Sequence, residues 1–166
     1  MTPAGPAADV RTDRLVLHPV DRAEARRIRD RQPAPHDAWA SDYPFDGDVT
    51  ALTALLDATE DGRDPRPFGY YQIRVGGRAV GGIGFFGPPV DEAVEIGYGL
   101  APGARGNGYA AEALVALVRR AVELGVRTVR ARTETANAAS RRTLERAGFT
   151  EQRVEAGTHH YEITAL

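Results

Sequence analysis

Residues 105–110 lie between an apolar strand and an amphipathic helix, and this junction constrains the fold more than any other feature of the chain. Before it, residues 94–100 alternate apolar side chains with glutamate or glycine, which is the period of a half-buried strand. After it, apolar residues such as Leu114 and Leu117 recur at helical spacing until Gly125. The first amides of a helix are unpaired and carry partial positive charge, so this turn is predicted to bind a phosphate group.

The residues of this turn suit the pyrophosphate of a cofactor. Its two glycines allow the backbone to approach a ligand closely, so that free amides can donate to it. The arginine adds a fixed cation beside those amides. The predicted pyrophosphate-binding residues are Arg105, Gly106, Asn107, Gly108, Tyr109 and Ala110.

A second class of cofactor uses a similar turn. Residues 106–111 also match the G-x-G-x-x-A pattern of a dinucleotide-binding unit, in which an acidic residue ends the next strand. The next strand, predicted at residues 126–133, carries arginines at its polar positions, so at most a phosphorylated nicotinamide cofactor would suit it. About 60 residues follow the turn, which is too few for a doubly wound sheet. An NADP-dependent reductase is therefore the less favoured alternative.

A second motif lies about 30 residues downstream of the first. Residues 137–149 read Asn-Ala-Ala-Ser-Arg-Arg-Thr-Leu-Glu-Arg-Ala-Gly-Phe. Together with the turn at residues 105–110, this motif resembles the GNAT superfamily of acyl-CoA-dependent N-acetyltransferases, and most of all its branch of ribosomal-protein N-terminal acetyltransferases. Residues 11–19 look like the opening strand of that branch, and the resemblance covers roughly residues 10–155.

The resemblance implies an α/β (α+β) GNAT-like fold. Its mixed, mostly antiparallel central sheet has about seven strands flanked by about four helices, in the order β-α-α-β-β-β-α-β-α-β-β. The fourth and fifth strands of this fold part from each other, and the pantetheine arm of the cofactor enters between them. Residues 10–166 are predicted to form a single acyltransferase domain, and the Pro/Ala/Gly-rich residues 1–9 a disordered tail.

Local signals agree with that order of elements. Asp21 and Glu24 form a capping-box pattern for the first helix, and Gly47–Asp48 are predicted to cap the second. Residues 68–75 and 78–86 predict a hairpin joined by a two-glycine turn. These signals place a strand, two helices and a hairpin before the cofactor-binding half of the chain.

The resemblance also implies acetyl-CoA as the cofactor and acyl donor. Glu95, Gly97 and Gly99 share one face of the strand before the turn, and two glycines on a strand face leave room for a ligand. In the family, pantetheine pairs with the backbone in this region, and an asparagine contacts the same arm. The residues predicted on this basis are Gly99, Leu100 and Asn137 for pantetheine and Arg142 for the 3′-phosphate.

Two residues are candidates for proton transfer. Glu95 matches the general base of some GNAT enzymes, because an acceptor amine must lose a proton before it attacks. Ser140 is the candidate for protonating the departing thiolate, since the tyrosine that many relatives carry later in this helix is absent at Leu144–Glu145. Structural alternatives remain open: Glu95 as an arginine partner, and Asn137 and Ser140 as helix-capping groups.

The segment at residues 35–64 is where this fold usually binds the acceptor. It is rich in carboxylates, contains a single arginine, and includes Trp39, Tyr43 and Phe45. Acidic groups beside aromatic rings suit a cationic amine, so these three aromatic residues are the predicted substrate-binding residues. The alternative is that the carboxylates offset the arginines of the preceding helix.

Composition excludes several other functions. A net charge of −2 gives no attraction to nucleic acid or to an anionic membrane, and the start of the chain lacks the pattern of a signal peptide, so a cytoplasmic protein is expected. The chain has no cysteine, so direct attack by the acceptor is expected in place of an acyl-cysteine intermediate. No metal site is predicted.

The expected partners follow from the same features. An amine acceptor, either a small molecule or a peptide, is the predicted substrate, and the chain is expected to be a monomer or a homodimer. Because the cofactor motifs are stronger than the catalytic ones, a non-catalytic acyl-CoA-binding module is the alternative function.

Overall fold

The computed structural model describes Gly5 and residues 7–165. The tail predicted at residues 1–9 lies partly outside the described residues, and its disorder stays a prediction. Among the described residues are eight strands and four α-helices. The strands are β1 (Val10–Arg11), β2 (Leu15–Pro19), β3 (Tyr70–Val75), β4 (Arg78–Phe85), β5 (Ala93–Leu100), β6 (Thr128–Glu134), β7 (Thr150–Glu155) and β8 (Thr158–Thr164), and the helices are α1 (Arg22–Arg29), α2 (Asp46–Ala58), α3 (Tyr109–Glu123) and α4 (Ala138–Arg146).

The strands form one sheet in the order β1-β2-β3-β4-β5-β6-β8-β7. Every neighbouring pair is antiparallel except β5 and β6, which run parallel. The predicted mixed, mostly antiparallel sheet with four helices is confirmed, with eight strands in place of about seven. The additional strand is β1, whose Val10 and Arg11 pair with Leu17 and Val16 of β2.

The parallel strands β5 and β6 are paired over a short stretch only. Ala93, Val94 and Glu95 of β5 pair with residues 128–130 of β6, and the register ends there. Residues 96–100 of β5 therefore continue without β6 beside them as a pairing partner. This confirms the predicted parting of the fourth and fifth strands, because β5 and β6 hold those positions when the short β1 is not counted.

Apolar side chains cover both faces of the sheet. On one face, α3 contributes the fully buried Leu114 and Leu117 to a core that includes Ile73 of β3. On the other face, α1 and α2 contribute Ile28 and Leu52 to a second core. Each such buried side chain stabilises the fold by about 1.5–3 kcal/mol. The strands that part are thus backed by packed helices on both sides.

The helices α1 and α2 begin with different caps. Asp21 and Glu24 each accept a hydrogen bond from the backbone amide of the other, which confirms the predicted capping box of α1. The N-cap of α2 is Phe45, so the predicted cap at Gly47–Asp48 is wrong. Asp48 lies in the first turn instead, and its carboxylate accepts from the Phe45 amide at 3.2 Å. Phe45 and Asp48 are therefore held together at the start of α2.

Candidate active site

A cavity of about 940 Å³ lies where β5 and β6 part, between α2 on one side and the start of α4 on the other. Concave spaces of this size are where proteins bind small molecules and cofactors. Some of the residues predicted for the site from the sequence line this cavity, and the others lie outside its wall. Those that line it are Phe45, Glu95, Gly99, Asn137 and Ser140.

The turn at residues 105–110 forms the N-terminus of α3. Gly106 and Gly108 have φ angles of 83° and 78°, a left-handed conformation that glycine adopts without strain. The first intrahelical bond runs from the Glu112 amide to the Gly108 carbonyl at 3.2 Å. Amides ahead of that bond have no helical partner, which leaves them available to an anion. The backbone thus has the conformation that a pyrophosphate loop requires, and the role itself stays a prediction.

Arg14 ties this loop to the segment before β2. Its guanidinium donates to the carbonyl oxygen of Asn107 at 2.8 Å and to the Glu112 carboxylate at 2.7 Å. The same guanidinium lies 4.8 Å from the ring centre of Tyr109. This role of Arg14 was not predicted from the sequence, because Arg14 and Asn107 are 93 positions apart and no local pattern links them.

Arg105 lies on the strand side of the loop. Its Nε donates to the Leu100 carbonyl oxygen at 3.0 Å, and its guanidinium carbon lies 5.6 Å from the ring centre of Phe45. The Asn107 side chain donates to the carbonyl oxygens of Ala104 and Arg105. These side chains stabilise the loop itself, so the backbone amides are the groups left for a phosphate.

The face of β5 that carries the glycines is covered by aromatic rings. A methyl group placed on Gly97 would lie 2.7 Å from Cζ of Phe86, and one on Gly99 would collide with the Phe45 ring. Two phenyl rings therefore lie against this face beside the cavity that Gly97 and Gly99 line, and the room for pantetheine stays a prediction. The glycines let the rings pack directly on the strand backbone.

The backbone amide and carbonyl of Gly99 also point towards β4 in the sheet. The Phe86 amide donates to the Glu95 carbonyl, and the Ala101 amide donates to the Val80 carbonyl. Since the backbone groups of a strand alternate in direction, every second residue between Glu95 and Ala101 points its amide and carbonyl towards β4. Gly99 is one of these, so its predicted pairing with pantetheine is wrong.

The intervening residues form an open backbone edge. The amides and carbonyls of Tyr98 and Leu100 point away from β4, towards the space from which β6 has departed. The Leu100 carbonyl is bound by Arg105, which leaves the Leu100 amide and both groups of Tyr98 facing that space. An extended ligand could pair with this edge as an added strand would. Leu100 has the orientation predicted for pantetheine binding, and Tyr98 joins it as a residue that sequence analysis missed.

Tyr98 also contacts the start of α4. Its hydroxyl lies 2.8 Å from Ser140 Oγ and 3.1 Å from the Ser140 carbonyl oxygen. Burial raises the pKa of Tyr98, so the hydroxyl keeps its proton at neutral pH. Asn137 caps α4, and its side-chain oxygen accepts from the Ser140 amide at 3.1 Å, as the capping alternative predicts. Ser140 is thus held through its amide by one neighbour and through its hydroxyl by another.

Glu95 reaches the cavity from β5 as part of an ion pair. Its Oε1 accepts a hydrogen bond of 2.5 Å from Nε of Arg132 on β6. The Glu95 side chain is 31% exposed, so solvent reaches the pair. The alternative that Glu95 is an arginine partner is what the structure shows, and this ion pair engages Oε1 of the carboxylate.

Trp39 and Tyr43 do not line the cavity. Tyr43 is 5% exposed in the core beneath α1 and α2, where its hydroxyl lies 2.8 Å from that of Tyr70. Trp39 packs edge-on against Tyr43, with ring centres 5.5 Å apart. The structure therefore places neither residue in the cavity wall, because both rings pack in the second core, and their contact with the acceptor stays a prediction. Phe45 alone of the three predicted aromatic residues lines the cavity.

Asp48 is a buried carboxylate in the cavity wall, 3% exposed. It accepts from the Tyr70 hydroxyl at 2.8 Å and from the Phe45 amide at 3.2 Å. Burial raises the pKa of Asp48 to about 6, against the lowering effect of these hydrogen bonds. No local sequence pattern indicates this burial, because it depends on β3 lying against α2.

Other carboxylates of the acidic segment pair with arginines. Asp37 accepts from Arg27 at 2.7 Å, and Asp46 accepts from Arg31 at 2.7 Å. Arg27 belongs to α1, and Arg31 follows it closely. The alternative that these carboxylates offset the arginines of the first helical segment is confirmed for both pairs.

The part of the chain at Gly5 and residues 7–165 holds no group of three or more His, Cys, Asp or Glu side chains arranged to bind a metal ion. It also holds no helix that is both long and apolar enough to cross a membrane.

A sheet that opens between its two parallel strands, beside a glycine-bearing helix N-terminus, defines the class of acetyltransferase folds to which the sequence motifs pointed. The chain belongs to the GNAT acetyltransferase family: the model of the acetyltransferase (GNAT) domain matches residues 14–150. That range contains both sequence motifs and every residue that lines the cavity except Thr158. It offers no support to the reductase alternative.

Solved structures share this fold over nearly the whole chain. An acetyltransferase from Agrobacterium tumefaciens is 27% identical, with 99% of each chain covered and a TM-score of 0.66. RimJ of Mycobacterium smegmatis, in complex with CoA-disulfide, is 22% identical, with 91% of this chain and 82% of that chain covered and a TM-score of 0.63. RimL, a ribosomal L7/L12 alpha-N-protein acetyltransferase in complex with coenzyme A, is 17% identical, with 95% and 98% covered and a TM-score of 0.66. No curated protein sequence matches the chain.

Proposed function

We propose that this protein is an N-acetyltransferase that moves an acetyl group from acetyl-CoA to an amine by direct attack. The observation that carries the proposal is the open backbone edge of Tyr98 and Leu100, which runs from the cavity towards the loop at the N-terminus of α3. A cofactor with a diphosphate at one end and an extended amide-bearing arm at the other is complementary to that arrangement. RimJ and RimL, which share the fold, hold coenzyme A in their structures.

Four features of the chain place the cofactor. The backbone amides of residues 106–110 bind the diphosphate, and the edge of Tyr98 and Leu100 pairs with the pantetheine amides. Asn137 lines the cavity beside this arm. Arg142, which is exposed on α4, is placed to meet the 3′-phosphate.

The reaction needs an amine that has lost its proton and an acyl carbon that accepts its lone pair. The amine attacks the thioester carbonyl, and the resulting oxyanion is stabilised by a backbone amide of the β5 edge. Glu95, directly or through water, takes the proton from the amine. Ser140 faces the departing sulfur. The chain has no cysteine, so no acyl-cysteine step intervenes.

The acceptor enters from the side of α2. There the cavity is bounded by Phe45 and Phe86, which pack on the glycines of β5, and by Leu55 and Asp48 of α2. Apolar walls with one buried carboxylate suit a primary amine on a small-molecule or peptide body. The chain would act as one domain over residues 10–166, in the cytoplasm, as a monomer or homodimer.

A non-catalytic acyl-CoA-binding module is a second candidate, because the Glu95–Arg132 ion pair neutralises the proposed base. A binding module would take up acetyl-CoA without transferring its acetyl group. The two candidates make the same prediction for cofactor binding and opposite ones for turnover.

Calorimetric titration of the protein with acetyl-CoA, with NADPH in a parallel cell, tests the cofactor. Saturable binding of acetyl-CoA with no heat from NADPH is expected, and the reverse would overturn the proposal. Release of the coenzyme A thiol is then measured with phenethylamine, spermidine, kanamycin, leucine amide and a serine-initiated peptide. Turnover with any of these amines separates the enzyme from the binding module.

A further inference from the structure

Two hydroxyl groups meet beside the cavity, one from the sheet and one from α4. Tyr98 Oη and Ser140 Oγ lie 2.8 Å apart, and both side chains are half-buried and line the cavity wall. The Ser140 backbone is held on both sides, because its amide donates to the Asn137 side chain and its carbonyl oxygen lies 3.1 Å from the Tyr98 hydroxyl. The pair is therefore a fixed feature of the site.

The two hydroxyl protons can be arranged in two ways. In one, Tyr98 donates to the Ser140 carbonyl oxygen and Ser140 donates to Tyr98, so both protons are used within the pair. In the other, Tyr98 donates to Ser140 Oγ, and the Ser140 proton is directed into the cavity. An anion beside Ser140 attracts that proton and selects the second arrangement.

Ser140 by itself is a poor proton source for a thiolate. A serine alkoxide is a much stronger base than a thiolate, whose thiol has a pKa of about 8.5. The hydroxyl can therefore stabilise sulfur by a hydrogen bond but cannot give its proton away at equilibrium. That hydrogen bond is strengthened when a second donor binds the serine oxygen, since hydrogen bonds in a chain polarise one another.

We infer that Tyr98 and Ser140 form a donor chain that receives the departing sulfur of coenzyme A as an anion, with Tyr98 as the positioning residue. This inference rests on the proposed function. As the tetrahedral intermediate collapses, the oxyanion re-forms the carbonyl, the C–S bond breaks and its electron pair stays on sulfur. Ser140 donates to the sulfur anion, and Tyr98 donates to Ser140. Solvent later protonates the sulfur anion. This proton balances the one that the acceptor nitrogen has lost.

This assignment changes the role predicted for Ser140 from the sequence. The serine holds the thiolate by a hydrogen bond and does not protonate it. The assignment also gives a tyrosine a role in the site, although α4 carries none at Leu144–Glu145. The phenol comes from β5 instead, and it contacts the Ser140 hydroxyl.

The first test uses coenzyme A alone and needs no acceptor. The thiolate fraction of bound coenzyme A is measured from its ultraviolet absorbance at one mildly alkaline pH. We expect the ratio of thiolate to thiol to fall about fivefold in Tyr98→Phe and in Ser140→Ala. The matched control is Tyr161→Phe, which removes the same atom from a buried ring whose hydroxyl contacts Glu145 of α4 at 3.4 Å. That variant should keep the wild-type ratio.

The outcomes separate the two proposals. If the wild-type protein binds no coenzyme A, the proposed function fails and the donor chain fails with it. If it binds coenzyme A with the same thiolate fraction in wild type and Tyr98→Phe, the donor chain alone is overturned. Thermal unfolding of each variant shows that the fold is intact.

The second test compares leaving groups during turnover. With acetyl-CoA, Tyr98→Phe should lower kcat about tenfold at unchanged KM. The acetyl thioester of 4-nitrothiophenol releases a thiolate that leaves without help. With this donor, kcat should be the same in wild type and in Tyr98→Phe. An equal loss of kcat with both donors would mean that Tyr98 only supports the structure.

Discussion

The guanidinium of Arg14 donates a hydrogen bond of 2.8 Å to the carbonyl oxygen of Asn107, and so joins the segment before β2 to the turn that begins α3. The same side chain binds Glu112 in the first turn of the helix. A loop that binds phosphate through backbone amides must hold those amides in one direction. Arg14 therefore orders the proposed diphosphate site from outside it, without being part of the sequence motif.

Replacing Arg14 by alanine should weaken coenzyme A binding about tenfold, because the loop loses its charge-assisted hydrogen bonds and must be ordered by the ligand. The free energy of unfolding should change little, since the contacts are on the surface. Titration calorimetry measures the affinity. Arg11→Ala is the control, because Arg11 is largely exposed and pairs only weakly with Asp9 at 3.8 Å. Equal affinities for the two variants would show that the loop needs no anchor.

Gly108→Val should abolish coenzyme A binding without unfolding the protein. A φ of 78° is strained for any residue with a Cβ by about 1–2 kcal/mol, and relief of the strain moves the amides of the loop. Gly125→Val is the matched control: Gly125 has a φ of 94° and open space around it, and it follows the opposite end of α3 from Gly108. Both variants should lose similar stability in denaturant, and only Gly108→Val should lose binding. Tight binding by Gly108→Val would remove the loop from the site.

Glu95→Gln should lower kcat by about a hundredfold with little change in coenzyme A affinity, because the amide cannot accept the amine proton. Steady-state kinetics over a range of pH, alongside calorimetry, measures both effects. Glu162→Gln is the control, since Glu162 forms the comparable strand-to-strand pair with Arg130 at 3.2 Å. A pH–rate profile that is unchanged in Glu95→Gln would exclude Glu95 as the base.

Asp48 should make stability depend on pH. Burial raises the pKa of its carboxyl from 3.8 to about 6 in the folded protein. Between those values the folded state binds more protons than the unfolded state, so the free energy of unfolding falls as the pH rises. At about 1.4 kcal/mol for each pH unit, the contribution is on the order of 3 kcal/mol.

Asp48→Asn removes this charge, but its single oxygen can accept from only one of Tyr70 and Phe45, which donate to different oxygens of the carboxylate. We expect the stability of the variant relative to wild type to rise by about 3 kcal/mol between pH 4 and pH 7, because only wild type loses stability as the carboxyl ionises. Denaturant unfolding of both proteins across that range measures the difference. A stability difference that stays constant with pH would contradict a buried, titrating Asp48.

Much of the architecture was predictable because its signals are local. The capping box of Asp21 and Glu24, the two-glycine hairpin turn and the left-handed glycines before α3 each act within a few residues. The order of strands and helices followed from them and from the resemblance to the family. The missed β1 is two residues long and has too little periodicity to be seen.

The features that the sequence did not predict share one physical cause. Trp39 and Tyr43 have the composition of a binding surface, yet packing of α1 and α2 against β3 buries them in a core. Gly97 and Gly99 leave room on their strand, yet Phe86 and Phe45 come from other parts of the chain to lie against it. Which ring covers which glycine depends on chain segments that meet only in the folded state.

By itself, the sequence determined the class of fold, the family and the loop that begins α3, because helix starts, turns and strand periodicity are set by neighbouring residues. Tertiary structure alone decided how the site is built. It brought Tyr98 to Ser140, Arg14 to Asn107 and Arg132 to Glu95, over separations of 37 to 93 residues. Such contacts depend on strand register and helix packing, which no short segment encodes.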